Sequence, residues 1–358
     1  MRTIVLTGGG SAGHVMANLA LVPSLRERDW NVVYIGSRQG IERQLTQNLD
    51  IQYEAVATGK LRRYWDVENL KDPFRVLKGV AQSYKLLRRH RPAVIFSKGG
   101  FVALPVVVAA KFLRIPVILH EADLTLGLAN RLALPFAAKV AVTFPETAAH
   151  LPPAKAVYTG LPLRKEVFSG SRTKLLATYQ FSPQCPILLV TGGSLGAQNI
   201  NQAIWRQLAQ LTARFQIIHL CGKEKTNGSL QAMPGYIQME YAQDEMPHLL
   251  AMSDVVISRA GSNTIFELLV MKKPNILVPL PASKSRGDQL LNAQLFASHG
   301  YSVVVEDEKL PSTDLSALVD RVYRQRAVYI DEMKKAAVPD GVEAVMQLIS
   351  EYANAAGV

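Results

Sequence analysis

Thr3-Ile4-Val5-Leu6-Thr7-Gly8-Gly9-Gly10-Ser11-Ala12-Gly13-His14 is the stretch that decides the fold class. Its first five residues read as a strand, the glycines as a tight turn, and the periodic apolar positions from Val15 through Arg28 as a helix. A glycine turn at such a junction lets backbone N–H groups approach a ligand that a Cβ atom would hold off, at a helix N-terminus where positive dipole density collects. The construction returns at Ser97-Lys98-Gly99-Gly100-Phe101 and at Thr191-Gly192-Gly193-Ser194-Leu195-Gly196-Ala197. Strands are expected at Thr3–Thr7, Asn31–Gly36, Ile51–Val56, Ala93–Ser97, Pro116–His120 and Lys139–Thr143, with helical patterns between most of them. The alternation pauses at Val157–Leu163 and Ser169–Pro186, then resumes with Ile187–Val190, Phe215–Leu220, Asp254–Ser258, Asn275–Pro279 and Tyr301–Val305. Alternating strands and helices give parallel sheets covered on both faces. The expected architecture is therefore two doubly wound, Rossmann-like α/β domains, 1–160 and 161–340, facing each other across a ligand cleft. The tail from Ser312 to Ala355 reads as helices only, the last of them (341–358) packing back toward the first domain.

Composition narrows the function. Of 358 residues, 40 are Lys or Arg and 29 Asp or Glu, a net charge of +11 that suits nucleic acid, an acidic membrane or an anionic substrate. The excess is uneven: residues 1–160 hold 21 basic and 11 acidic side chains, so +10 of the total lies there. Residues 60–91 alone carry ten Lys/Arg, with Leu70, Phe74, Leu77, Ala81 and Tyr84 at helical spacing among them. That stretch reads either as a basic amphipathic helix lying on an anionic bilayer or as a core-facing helix with a solvated basic side. Cys185 and Cys221 cannot make a disulfide framework, show no zinc-ligand spacing, and read as small core residues of a reducing compartment. No secretion signal is expected, and the longest apolar run, Phe101 to Ala110, is far shorter than the ~20 residues of a membrane span. Any membrane contact is expected to be peripheral.

The first glycine turn is neither a GxGxxG dinucleotide fingerprint nor a P-loop, which counts against a dehydrogenase and an NTPase. In the second half, Arg259-Ala260-Gly261-Ser262-Asn263-Thr264 opens a helix after the strand Asp254–Ser258, and its N-terminus suits a diphosphate. Glu267, one turn on, either meets a ribose diol or completes a capping box with Thr264. His14 stands where an imidazole can take a proton from an attacking hydroxyl, or can cap the helix or position a donor. Glu121 and Asp123 supply a second candidate base, and His120 reads as structural. Ser11, Ala12 and Gly13 would line the cleft. Glu306-Asp307-Glu308 reads as a solvated turn rather than a metal motif.

Five motifs occur in a characteristic order: Gly9-Gly10-Ser11-Ala12-Gly13-His14, Gly99-Gly100-Phe101-Val102, His120-Glu121-Ala122-Asp123, Gly192-Gly193-Ser194-Leu195-Gly196-Ala197 and Arg259-Ala260-Gly261-Ser262-Asn263-Thr264-Ile265-Phe266-Glu267. In order and spacing they resemble the UDP-N-acetylglucosamine:N-acetylmuramyl-(pentapeptide) pyrophosphoryl-undecaprenol N-acetylglucosaminyltransferases of glycosyltransferase family 28. The resemblance runs from about residue 3 to about residue 306. It implies a GT-B fold and inverting, metal-independent transfer of GlcNAc from UDP-GlcNAc to the C4 hydroxyl of MurNAc in lipid I, giving lipid II for peptidoglycan. It implies no cofactor, and a peripheral place on the anionic cytoplasmic face of the bacterial membrane. It also implies donor contacts at Ser194, Arg164, Ser262, Asn263, Thr264 and Glu267 (the ribose), at Gln289 and Asn292 on one helix face (the sugar), and at Gln243 beside Met246 (the uracil). The chain departs from the family pattern at Met16-Ala17, where a Pro is usual, and at Ala122-Asp123, where Gln-Asn or Ser-Asp is usual. Those departures leave room for a related UDP-sugar transferase with another lipid acceptor. A non-catalytic membrane scaffold of the same fold is the alternative from another class. A nucleic-acid binder would need stacking aromatics or a helix-turn-helix, and would leave the glycine turns without a purpose.

Overall fold

Ile4, Val5 and Leu6 are each 0% exposed, which is why the first strand is a continuous apolar run and not an alternating one: both of its faces are covered. The computed structural model describes residues 2–47, 49–59, 72–193, 196–242, 244–283 and 285–355. It divides into two units, Met1–Arg164 with Pro339–Val358, and Lys165–Val338.

The first unit holds strands β1 (Arg2–Thr7), β2 (Trp30–Ser37), β3 (Gln52–Val56), β4 (Val94–Ser97), β5 (Val117–Glu121), β6 (Lys139–Val142) and β7 (Ala156–Tyr158). They form a parallel sheet in the order β3-β2-β1-β4-β5-β6-β7. Its helices are α1 (Ala12–Ala20), α2 (Val22–Glu27), α3 (Ile41–Thr46), α4 (Asp72–His90), α5 (Ala103–Phe112), α6 (Leu128–Ala133) and α7 (Pro145–Ala148). The second unit repeats the plan with β8 (Ile187–Thr191), β9 (Gln216–Leu220), β10 (Tyr236–Met239), β11 (Val255–Ser258), β12 (Asn275–Leu277) and β13 (Ser302–Val304) in the parallel order β10-β9-β8-β11-β12-β13. Around that sheet lie α8 (Gln198–Arg206), α9 (Leu208–Thr212), α10 (Met246–Met252), α11 (Ser262–Val270), α12 (Asp288–Ser298), α13 (Leu315–Arg324) and α14 (Arg326–Lys335). Each sheet reverses its strand order once, between β1 and β4 in the first unit and between β8 and β11 in the second.

The last helix, α15 (Gly341–Ala355), belongs to the first unit. Val345, Met346, Ile349 and Ala353 join Ile4, Leu6, Leu21 and Leu25 in one buried cluster. Fully burying such a side chain contributes about 1.5–3 kcal/mol, whereas an exposed ion pair such as Arg28–Glu343 gives about 1 kcal/mol at most, so apolar packing holds the helix in place. The first residue of the helix, Gly341, is a glycine because a Cβ there would lie 2.2 Å from the Leu161 carbonyl oxygen.

Several expectations need correction. Strands β7 and β10 were not foreseen; both are short edge strands with mostly half-buried residues. Residues 60–71 of the basic stretch lie outside the described residues, and the rest forms α4 with an unexpected inner face. Asp72, Gly79, Ser83 and Leu87 are buried, while Phe74, Leu77 and Ala81 face outward. Small residues line the inner side because α4 lies close against its neighbours: a Cβ on Gly79 would sit 2.1 Å from the Ala57 carbonyl oxygen and 3.2 Å from Pro105. Of that stripe, Tyr84 packs against the core. Cys221 is buried as expected, but Cys185 is only partly so. Asp307, placed in a solvated turn, is 3% exposed and paired with Arg259.

Candidate functional site

In an open parallel sheet, ligands bind beyond the carboxyl ends of the strands where the strand order reverses. In the first unit that point falls between β1 and β4, paired from Ile4↔Val94 to Thr7↔Ser97, so the turns Gly8–Gly10 and Gly99–Gly100 emerge side by side. Their backbones touch. Gly100, at φ +80°, faces Gly9 so closely that a Cβ would lie 2.3 Å from the Gly9 carbonyl oxygen. His14 Nδ1 is 3.0 Å from that same oxygen. A carbonyl only accepts, so Nδ1 carries the proton and the lone pair sits on Nε2. Ser11 stands at the N-terminus of α1 in extended conformation, and its side chain makes no capping bond. Ser11 is exposed, and Ala12, Gly13 and His14 are half-buried.

Two buried carboxylates brace this arrangement. Glu42, 0% exposed, accepts from Ser37 N at 3.0 Å and Ser37 Oγ at 2.5 Å, and lies 3.5 Å from Gly10 N. Gly9, Gly36 and Gly40 surround it, and a Cβ on any of them would fall within 3 Å of its side chain. Glu121 Oε1 accepts from Ala122 N and Asp123 N, and Oε2 from Gly127 N and Asn130 Nδ2 at 2.9 Å each. It is 5% exposed, and burial raises its carboxyl above the usual carboxylate range. Glu121 therefore folds the loop after β5, and the role of second candidate base passes to half-buried Asp123. Beside it, Lys98 Nζ donates to His120 Nδ1 at 2.7 Å and His120 Nε2 donates to the Gly160 carbonyl at 3.1 Å. Burial lowers both groups, Lys98 to about 7 against pull from Glu121 and Asp123, and His120 well below its ordinary range.

The second unit builds a ligand-binding end of its own on the same plan. Beyond β8, Gly193 and Gly196 take φ of +80° and +69°; a Cβ on Gly196 would meet the Cys221 carbonyl oxygen at 2.0 Å, while Gly193 faces open space. Beyond the adjacent β11, Gly261 is the N-cap of α11, supplies no side-chain cap of its own, and also faces open space. The first-turn N–H groups of such a helix suit an anion. Because Gly261 is the cap, Thr264 is the third helical residue and Glu267 the sixth, so they do not form a capping box. Ser262, Asn263, Thr264 and Glu267 are all half-buried on these first turns. Arg259 pairs with Asp307 at 2.6 Å and donates to the Val278 and Pro279 carbonyls, and Asn199 Nδ2 donates to Asp307 at 2.6 Å, which ties the β11 exit to the β12 exit.

Gln289 and Asn292 share a helix as expected but differ in role. Gln289 Oε1 accepts from Leu280 N at 3.0 Å, at a half-buried position. Asn292 is 0% exposed and donates to the Ala260 carbonyl at 3.3 Å, so it holds the turn before α11. Arg164 is exposed at the end of the first unit's main segment. Ser194 and Gln243 lie outside the described residues. The departures at Met16, Ala17 and Ala122 are on the core side: Met16 packs on a buried cluster, and Ala17 and Ala122 are 2% and 7% exposed.

Residues 4–142 match the glycosyltransferase family 28 N-terminal domain and residues 187–349 its C-terminal domain. The chain belongs to glycosyltransferase family 28. A family 28 relative from Lachnoclostridium phytofermentans is 52% identical over 351 residues, 98% of this chain and 99% of the relative; its name is UDP-N-acetylglucosamine--N-acetylmuramyl-(pentapeptide) pyrophosphoryl-undecaprenol N-acetylglucosamine transferase. A Clostridium novyi protein of the same name is 49% identical over 98% of both chains. The crystal structure of Acinetobacter baumannii MurG superposes with a TM-score of 0.76 at 22% identity, over 98% of this chain and all of that one. The calicheamicin glycosyltransferase CalG4 superposes at 0.70 and 11% identity over the whole of both chains. The fold of this family 28 chain is GT-B, with two Rossmann-like domains.

Within the family 28 frame, Glu42, Lys98, Asn130 and the Arg259–Asp307 pair are the site-building residues that sequence reasoning missed. A charged residue between a buried strand and a diglycine was the available signal for Lys98. Glu42 and Asn130 sit in ordinary polar positions of short helices and carry no comparable mark.

Proposed function

We propose that the chain is an inverting transferase that moves GlcNAc from UDP-GlcNAc to the C4 hydroxyl of MurNAc in lipid I, producing lipid II for peptidoglycan. What carries this reading is the near-full-length identity, 52% over 98% of the chain, to a relative bearing that activity in its name. The second unit is the donor domain. The open N-terminus of α11 takes the diphosphate through Ser262, Asn263 and Thr264, and Glu267 accepts from the ribose diol. Gln289, with Oε1 held by Leu280, offers its amide N–H groups to the sugar. Ser194, Gln243 and Arg164 complete the proposed donor contacts.

The first unit is the acceptor domain, with Ser11, Ala12 and Gly13 lining the site. The acceptor oxygen attacks the anomeric carbon, the bond to the diphosphate breaks, and UDP departs with the bonding electrons. The proton of the attacking hydroxyl passes to His14 Nε2, the nitrogen that Gly9 leaves as acceptor. Fixed N–H dipoles at α11 stabilise the charge that grows on UDP.

The first unit also meets the membrane. Phe74 and Leu77 on α4 are 75% and 66% exposed and Phe112 on α5 is 71% exposed, with Arg75, Lys78, Lys85 and Lys111 exposed on the same helices. At about 1.5–3 kcal/mol per inserted side chain and ~1 kcal/mol per basic residue, such a face binds an anionic bilayer reversibly. Among the described residues no helix is long and apolar enough to cross a membrane. Labelled GlcNAc should pass from UDP-GlcNAc to a short-chain lipid I analogue and not to undecaprenyl phosphate. Folded protein that labels only the second acceptor would transfer the activity to another lipid class.

A further inference from the structure

Lys98 is buried to 2% exposure at the end of β4, where an apolar side chain of similar length would pack without the several kcal/mol that desolvating an ammonium costs. Its surroundings show what the amine holds. Lys98 N donates to the Thr7 carbonyl at 2.9 Å, and its Cβ lies 3.0 Å from where a Cβ on Gly8 would be, so the residue is wedged beneath the first glycine turn. Its Nζ is anchored on His120, itself 0% exposed and tied to the Gly160 carbonyl. The next two residues are Gly99, packed against Asn130 Oδ1, and Gly100, packed against the Gly9 carbonyl that accepts the hydrogen bond from His14 Nδ1–H. A continuous set of contacts thus runs from Lys98–His120 through Gly100 and Gly9 to His14.

We propose that Lys98, anchored on His120, is a positioning residue that holds the second glycine turn against Gly9 and so fixes the tautomer and aim of the His14 imidazole. This rests on His14 being the proton acceptor, as proposed above, and gives Lys98 no contact with either substrate. Nitrogen-15 spectra of the histidine-labelled full-length protein read the tautomer directly, with the His14 signals assigned by their loss in His14→Ala. Wild type should show His14 protonated on Nδ1. Lys98→Met and His120→Leu should mix the tautomers and lower kcat by ~10–100-fold, the scale of a small misplacement, with KM for UDP-GlcNAc unchanged. His120→Gln can still accept from Lys98 and donate to Gly160, and should retain the wild-type spectrum and rate. Lys98→Gln, which keeps a polar end, serves as the second variant if Lys98→Met does not fold. An unchanged His14 spectrum with near-normal kcat in the Lys98 and His120→Leu variants would overturn the inference. Normal turnover in His14→Ala would instead remove His14 as base, whatever the tautomer spectra show.

Discussion

A single carbonyl oxygen, that of Gly9, decides which nitrogen of His14 can take a proton. If Nε2 takes it during transfer, His14→Ala should lower kcat by ~10²–10⁴-fold, the usual share of a general base, and leave UDP affinity as it was. Steady-state kinetics beside calorimetric UDP titration checks both halves, and a parallel loss of UDP affinity would make His14 a donor-binding residue. Lys98 gives a prediction in stability. Its folded value is about 7, set chiefly by burial, against about 10.4 unfolded. Between those values the unfolded chain binds more protons, so stability climbs with pH; below about 7 both states are charged and the full burial penalty stands. Glu121 and Asp123 offset that penalty in part, and neighbouring His120 is lowered too. The thermal midpoint should therefore gain more between pH 7 and 9 in wild type than in Lys98→Met, and equal slopes would contradict the assignment. His14 was legible because it ends a glycine turn. Lys98 was not, since a lysine at a strand end ordinarily reaches solvent, and its place before a diglycine does not say that it folds inward.

Turns and helices carry the next level of constraint. At Gly100 a side chain would meet both left-handed strain, about 1–2 kcal/mol, and a backbone oxygen at 2.3 Å. Gly193 shares the φ of +80° but faces open space. Gly100→Ala should accordingly lower the melting temperature more than Gly193→Ala does, and equal effects would mean that the contact between the two turns is slack. On α4, Phe74→Asp with Leu77→Asp should abolish cosedimentation with anionic vesicles while sparing transfer to a water-soluble acceptor, because neither residue supports the core. Retained vesicle binding would move the membrane face elsewhere. Central strands were readable from their apolar runs, but β7 and β10, three and four residues long at sheet edges, were not: too few residues are buried to leave a pattern. The α4 stripe misled for a related reason. Periodicity marks an apolar face without saying what covers it, and here close packing of Gly79 and Ser83 claimed the opposite side.

Across the molecule, the +10 charge of residues 1–160 and the nearly neutral remainder suit a division between an anionic lipid acceptor and a nucleotide-sugar donor. The doubly wound plan was legible from strand–helix alternation, and the glycine turns marked the strand ends where each sheet reverses its order. What could not be read was the supporting layer: Glu42, Asn130 and Arg259–Asp307 as its members, and the bracing roles of Glu121 and Asn292, which the sequence had offered as a base and a sugar contact. Asn292–Ala260 and Arg259–Asp307 join residues far apart in sequence, whereas Glu42 and Glu121 bond within nearby turns whose shape only the fold sets, and all these side chains are ordinary until then. The most direct test of the central claim is UDP release from UDP-GlcNAc, followed with and without a lipid I analogue. Release that requires the analogue, and falls sharply in His14→Ala, is the predicted result. Release at the same rate without any acceptor, or none from folded protein supplied with both substrates, would contradict the account.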